Sequence, residues 1–194
     1  MKKITTIHIS SEQGYSTNDG ILVNGSEMLT QIYKEKIGGY PKFYKMDPLS
    51  KLGFVASELL LSEEQKLADI SEDLKYKILP RFTEREDRAI VFINRSASLA
   101  ADNRYEETIQ IGDNYFPSPA EFVYTLPNIV TGEIAIRNKY YGESNFLCVS
   151  DETEVDEIIS MSFADSMTKS IIGGWLECSS PDCFEAILSI YTRN

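Results

Sequence analysis

Histidine is nearly missing from this chain: His8 is the only one in 194 residues. Cysteine is scarce as well, with Cys148, Cys178 and Cys183 alone. Three is an odd number, no CxxC spacing occurs, and one distant histidine cannot complete a zinc site, so no metal centre is expected. Cys178 and Cys183 stand close in sequence, yet a reducing compartment disfavours a disulfide, and all three are expected as small buried or half-buried thiols. No run of 18 apolar residues exists, which excludes a transmembrane helix. Residues 1–8 lack the apolar run of a signal peptide, so the expected location is cytoplasmic. Positive charge is also short. Nineteen Lys and Arg stand against 30 Asp and Glu, a net charge of −11. The longest basic cluster, residues 34–51, is thin and interleaved with apolar side chains. A chain without a positive footprint is repelled by phosphate backbones and anionic lipid, so neither nucleic acid nor a membrane is an expected partner. There is no internal repeat and no low-complexity segment.

What is present suits one globular domain over residues 1–194: 42% hydrophobic and 25% charged residues. Residues 4–10 alternate apolar and polar side chains and are rich in β-branched types, which predicts a first strand with His8 packed or on an edge. Residues 11–24 hold Gly14 and the pair Asp19-Gly20, a loop or hairpin. Asp47-Pro48 is a strong helix start, an acidic N-cap before Pro at the first position. Leu49, Leu52, Val55, Ala56, Leu59 and Leu60 continue it to about Leu61. Beyond, Glu63 and Glu64 read as a solvated face over a thin line of Leu67, Ile70, Leu74 and Ile78, and residues 84–88 as a mixed-charge turn. The run Ala89-Ile90-Val91-Phe92-Ile93 predicts a strand covered on both faces.

Asn94-Arg95-Ser96-Ala97-Ser98 follows it, either a site at the strand's carboxyl end or simple capping of the next helix. Ser118-Pro119 opens another helix, and Ile129 to Ile136 a further one with Gly132 in its middle, where close helix packing is expected. Gly142 ends that stretch. Residues 145–149 predict a short apolar strand. Ser150 and the acids after it predict a helix N-terminus, with Val155, Ile158, Ile159, Phe163 and Met167 as its apolar stripe. Residues 171–176 predict a strand whose Gly173-Gly174 permits close backbone approach. Residues 184–191 predict a terminal strand or a short helix. The alternation predicts α/β layers with right-handed crossovers.

Residues 115–142 read YFPSPAEFVYTLPNIVTGEIAIRNKYYG. The blocks Ser118-Pro119, Thr125-Leu126-Pro127-Asn128-Ile129, Gly132-Glu133-Ile134-Ala135 and Gly142 resemble, in order, the segment before the nucleophile in β-ketoacyl-acyl-carrier-protein synthases. Residues 145–149 resemble the strand leading to that nucleophile. Gly173-Gly174-Trp175-Leu176-Glu177 resembles the family's later Gly-Gly-x-x-Glu strand, and Lys45-Met46-Asp47 with Leu52-Gly53 its early helix. The resemblance implies a thiolase-like layered α/β fold, of which this chain matches the N-terminal half only. It places the nucleophile position at Asp151, or at Glu152 if the loop is one residue longer. Neither is a cysteine, Cys148 falls about three residues early, and the two histidines of the second half have no counterpart. A carboxylate cannot form the thioester. The resemblance therefore implies a degenerate, non-catalytic ketosynthase without cofactor.

Three readings follow. The first is a chain-length-factor-like subunit in fatty-acid or polyketide systems, including the aryl polyene type. It would pair with an active ketosynthase and shape its acyl tunnel, with Thr125, Leu126, Asn128, Ile129, Phe146 and Cys148 as tunnel or interface candidates. The family implies that the strand at 145–149 meets its mate across a two-fold axis. An acyl carrier protein, itself acidic, would be reached only through the partner. The second is a stand-alone homodimeric scaffold or acyl-binding protein with half of the fold. The third is another enzyme, using Cys148 as nucleophile or the cluster Asp151, Glu152 and Glu154 as acid, base or ligands, although helix-start acids explain that cluster more simply.

Overall fold

Asp47 closes the start of the longest helix with its own side chain, accepting from the backbone N–H of Leu49 and of Ser50 at 3.0 and 3.1 Å. The computed structural model describes residues 1–16, 22–23, 27–71, 74, 78–110 and 116–193. In chain order these form β1 (Lys2–Ser10), β2 (Tyr15–Ser16), β3 (Leu22–Val23), α1 (Met28–Ile32), α2 (Pro48–Ile70), β4 (Arg88–Asn94), α3 (Leu99–Gln110), α4 (Pro119–Val123), α5 (Ile129–Asn138), β5 (Ser144–Cys148), α6 (Val155–Ser162), β6 (Ser170–Ser180) and β7 (Cys183–Thr192). β2 and β3 pair antiparallel as the legs of the expected hairpin. Its turn at Asp19-Gly20 lies outside the described residues.

Five strands make one sheet in the order β1-β7-β6-β4-β5. β4 runs parallel to both β5 and β6. β6, β7 and β1 are antiparallel neighbours. The sheet is therefore mixed. Crossovers through helices join β1 to β4, β4 to β5 and β5 to β6, whereas the short turn after Ser180 returns the chain directly as a hairpin. Residues 184–191 are strand, in β7.

The core lies on both faces of this sheet. Ile90, Phe92, Ile172, Leu176, Leu188 and Ile190 face α2 and α5. Ala89, Val91, Ile93, Ile171 and Trp175 face α6 through Ile159. β4 is buried along its whole length, as its unbroken apolar run predicts. Gly173 permits the second layer: a Cβ there would lie 2.8 Å from the Val91 carbonyl and 2.9 Å from Ile159 Cδ1. Gly174, at φ 145°, has the Ile187 carbonyl in the place a Cβ would take.

Several expectations are corrected. α2 does not stop near Leu61 but runs to Ile70. Glu64 is buried rather than solvated, and both its oxygens accept from Arg88 at 2.6 and 2.7 Å. Arg88 and Arg85 are buried too, joined by the Ser170 hydroxyl, so the mixed-charge segment at 84–88 is an internal ion network. Ile70, expected on the apolar line, is exposed. Close packing occurs at Gly53, where a Cβ would meet Val130 Cγ2 at 2.5 Å, and not at Gly132, where it would meet nothing within 4 Å. α5 ends at Asn138 with Lys139 in the left-handed conformation, before Gly142. Met167 is exposed and leaves the α6 stripe to Val155, Ile158, Ile159 and Phe163.

Candidate functional site

The chemistry-bearing residues gather at the carboxyl ends of β4 and β6. Asn94, the last residue of β4, is fully buried. Its side chain accepts from the Ala97 N–H and donates to the Ala97 carbonyl, tying the loop into a tight turn with Ala97 at φ 51°. Glu177 of β6 holds the same loop from the other side. One oxygen accepts from the backbone N–H groups of Arg95 and Ser96 at 2.9 and 3.3 Å, and the other from the Ser96 hydroxyl. The Ser98 hydroxyl donates to the Thr125 carbonyl at 2.7 Å, and its backbone carbonyl opens α3. Residues 94–98 thus do more than cap a helix: they brace the turn before α5 against the sheet. Arg95, Ser96, Glu152, Trp175, Glu177 and Glu185 border a shallow cleft of about 310 Å³.

The position at which the sequence resemblance implies a nucleophile is an N-terminal capping site. Asp151, not Ser150, caps a 3₁₀ turn, Glu152–Glu154, that leads straight into α6. It is exposed, and the bond it accepts from Thr153 N–H at 2.8 Å holds its carboxyl below the usual range. Glu152 lines the cleft. Cys148, at the end of β5, is exposed and donates weakly to Asn94 Oδ1 at 3.7 Å. Cys178 is buried, and burial pushes its thiol up to about 12. His8 lies on the edge strand β1 and pairs with Glu185 at 2.9 Å. Among the described residues, no group of three His, Cys, Asp or Glu side chains is placed to hold a metal ion. No helix is long and apolar enough to cross a membrane, again among the described residues.

The tunnel and interface candidates fall along one side of the molecule. β5 is an edge strand, hydrogen-bonded to β4 alone, and only Phe146 of its five residues is half-buried. Phe146 and Ala135 pack on the main core, and α5 lies against β5. Thr125, ahead of α5, and Ile129, its first residue, are half-buried, while Leu126 and Asn128 are exposed. Leu126 is 50% exposed, Phe122 52%, Leu99 42% and Leu147 37%, and Leu147, opposite Ile93 in the register, stands on the α6 face of the sheet. Sequence reasoning missed Leu99, Phe122 and Leu147 as surface residues, since nothing but their place outside a buried stripe marks them.

The fold is thiolase-like. Two solved structures carry this assignment. One is the ishigamide ketosynthase/chain length factor, with a TM-score of 0.59 and 14% identity over 83% of this chain and 47% of the other. The other is the ketosynthase ApeO in complex with its chain length factor ApeC from Xenorhabdus doucetiae, with a TM-score of 0.56 and 10% identity over 100% of this chain and 79% of the other. The chain thus spans about half the length of the first. No protein-family model matches the sequence, and no curated protein does.

Proposed function

We propose that this chain is a non-catalytic ketosynthase-like subunit that pairs with an active β-ketoacyl-acyl-carrier-protein synthase and shapes its acyl tunnel, in fatty-acid or polyketide biosynthesis of the aryl polyene type. The carrying observation is the open edge at β5. β5 is hydrogen-bonded on one side only and carries the exposed Leu147; an open edge of this kind invites another strand, and such edges are normally covered or blunted by charge. Two neighbours of this fold are ketosynthase and chain length factor assemblies. Catalysis by this chain itself is disfavoured on chemical grounds. The helix start that would hold the thiolate carries Asp151 and Glu152, and the single histidine is paired with Glu185. The partner would supply the chemistry and, against a net charge of −11, the carrier-protein dock. A cytoplasmic location belongs to the same reading.

The test is affinity purification of the tagged chain from its native cells with mass spectrometry. A near-stoichiometric, cysteine-bearing ketosynthase is expected, and Leu147→Lys should abolish its recovery while leaving the chain folded. The same edge could close on a second copy. Recovery of the chain alone as a stable homodimer would replace this reading with a homodimeric scaffold or acyl-binding protein.

A further inference from the structure

Lys51 lies in the first turn of α2, half-buried, and its ammonium makes no hydrogen bond and no ion pair among the described residues. Nζ stands 5.9 Å from the centre of the buried Phe43 ring. Burial and the like charge of Arg104 hold the ammonium below its ordinary pKa, against a smaller opposing pull from Asp47. Asp47 is occupied, since its oxygens accept from the backbone N–H groups of Leu49 and Ser50. Arg104 is matched as well, because Glu121 accepts from its Nε and Nη2. A half-buried cation with three donors and no acceptor calls for an explanation.

Lys51 borders an open pocket of about 560 Å³ between the 3₁₀ turn Pro41–Lys45, the start of α2, α3 and α4. Its walls are largely apolar, with Tyr44, Met46, Ala120 and Val123. Tyr44 stands edge-on to Tyr33 and to Phe43, with ring centroids 5.5 and 5.7 Å apart, which fixes its plane. Tyr44 and Val123 nevertheless stay 55% and 45% exposed. Tyr124 borders the pocket too, and its hydroxyl has no hydrogen-bond partner among the described residues. Burial and the nearby Glu133 raise its pKa, so it remains a donor at neutral pH. Lys45 is exposed at the rim. None of the six tunnel or interface candidates lines this pocket.

We propose that the pocket binds a small organic acid, one carboxylate on a short apolar chain. The carboxylate accepts from Lys51 Nζ with the Tyr124 hydroxyl as second donor, and the chain lies along Tyr44, Ala120 and Val123. A hydrogen bond between ionised partners is about twice as strong as a neutral one, and it supplies the acceptor that Lys51 lacks. Lys45, Lys51 and Arg104 face Glu121 and the buried Asp47, three cations to two carboxylates, so a monoanion completes the balance. The apolar walls select an acid with a hydrocarbon body over a bare inorganic anion. This site does not rest on the ketosynthase reading.

Calorimetric titration of the full chain with sodium hexanoate tests it. Saturable one-to-one binding with a Kd below about 1 mM is expected. 1-Hexanol, which lacks the charge, and hexylamine, which reverses it, should each bind at least about tenfold more weakly. Lys51→Met keeps the stem and removes the ammonium, and should weaken hexanoate about tenfold or more; Tyr124→Phe should weaken it about threefold. Lys2→Met, on β1 and outside the pocket, should leave it unchanged. Val123→Glu puts a like charge on an exposed part of the wall and should also cost about tenfold, and it decides the matter if Lys51→Met does not fold. No saturable heat, equal binding of hexanol, or unchanged affinity in Lys51→Met or Val123→Glu would overturn the proposal. Hexanoate held in an acyl tunnel would survive Lys51→Met, which counts against this site and not against the ketosynthase reading.

Discussion

Asp47 shows how one side chain can be both well chosen and costly. It caps α2 through two backbone N–H groups, yet it is 1% exposed, and that burial raises its carboxyl above the ordinary 3.8 despite the bonds from Ser50 and Leu49 that pull it down. A carboxyl raised in the folded state stabilises most below the unfolded pKa, and that contribution is lost as pH rises through the folded one. Asp47→Ala should cost about 1 kcal/mol through loss of the cap. Asp47→Asn keeps an acceptor and does not titrate, so its stability relative to the native chain should improve as pH rises from the carboxylate range toward neutrality. Denaturant melts across that range check this, and a difference independent of pH would refute it. The cysteines offer a second reading at this scale. Cys148 and Cys183 are exposed while Cys178 is buried and held protonated. Two thiols should react with a disulfide reagent in the native protein, and the third only after denaturation.

At the scale of elements, the contact between α2 and α5 depends on a glycine that pattern reading did not single out for packing. Gly53 lets Val130 and Leu176 reach the α2 backbone, with Leu176 Cδ2 2.8 Å from where a Cβ would stand. Gly53→Val should cost about 1–3 kcal/mol by overpacking. Gly132 has no such neighbour, and Gly132→Ala should instead stabilise α5 by about 0.5–1 kcal/mol. Thermal or denaturant melting of the two variants distinguishes the cases. The contrast follows from geometry: both glycines interrupt a helical apolar stripe, and only the facing helix decides which of them is needed.

For the whole molecule, the decisive feature is asymmetry. The sheet has one edge at β1, where His8 and Glu185 pair, and another at β5, where Leu147 stands open. A ketosynthase partner on β5 should protect Cys148 from the thiol reagent and leave Cys183 reactive, which converts a cysteine count into a map of the interface. Asp151→Cys should not confer condensing activity on the isolated chain, because the capping site would gain a thiol but no paired histidines. Turnover above background in that variant would refute the non-catalytic reading.

Sequence periodicity alone determined most of the elements. The Asp47-Pro48 start, the β4 run and the Gly173-Gly174 approach all follow from short-range rules: a capping acceptor, a twice-covered strand, a missing Cβ. The family resemblance in residues 118–142 and 173–177 also reached the fold class. The tertiary structure decided the rest, because it depends on partners far along the chain. Glu64 is buried only because Arg88, 24 residues on, neutralises it. Glu177 matters only because β6 lies beside β4 and brings its carboxylate to the Arg95 and Ser96 amides. Arg81 and Arg137 share one buried carboxylate only because the fold brings both guanidiniums to Glu58. Local sequence fixes which segments bury an apolar face, but the balance of buried charge is a property of three-dimensional neighbours.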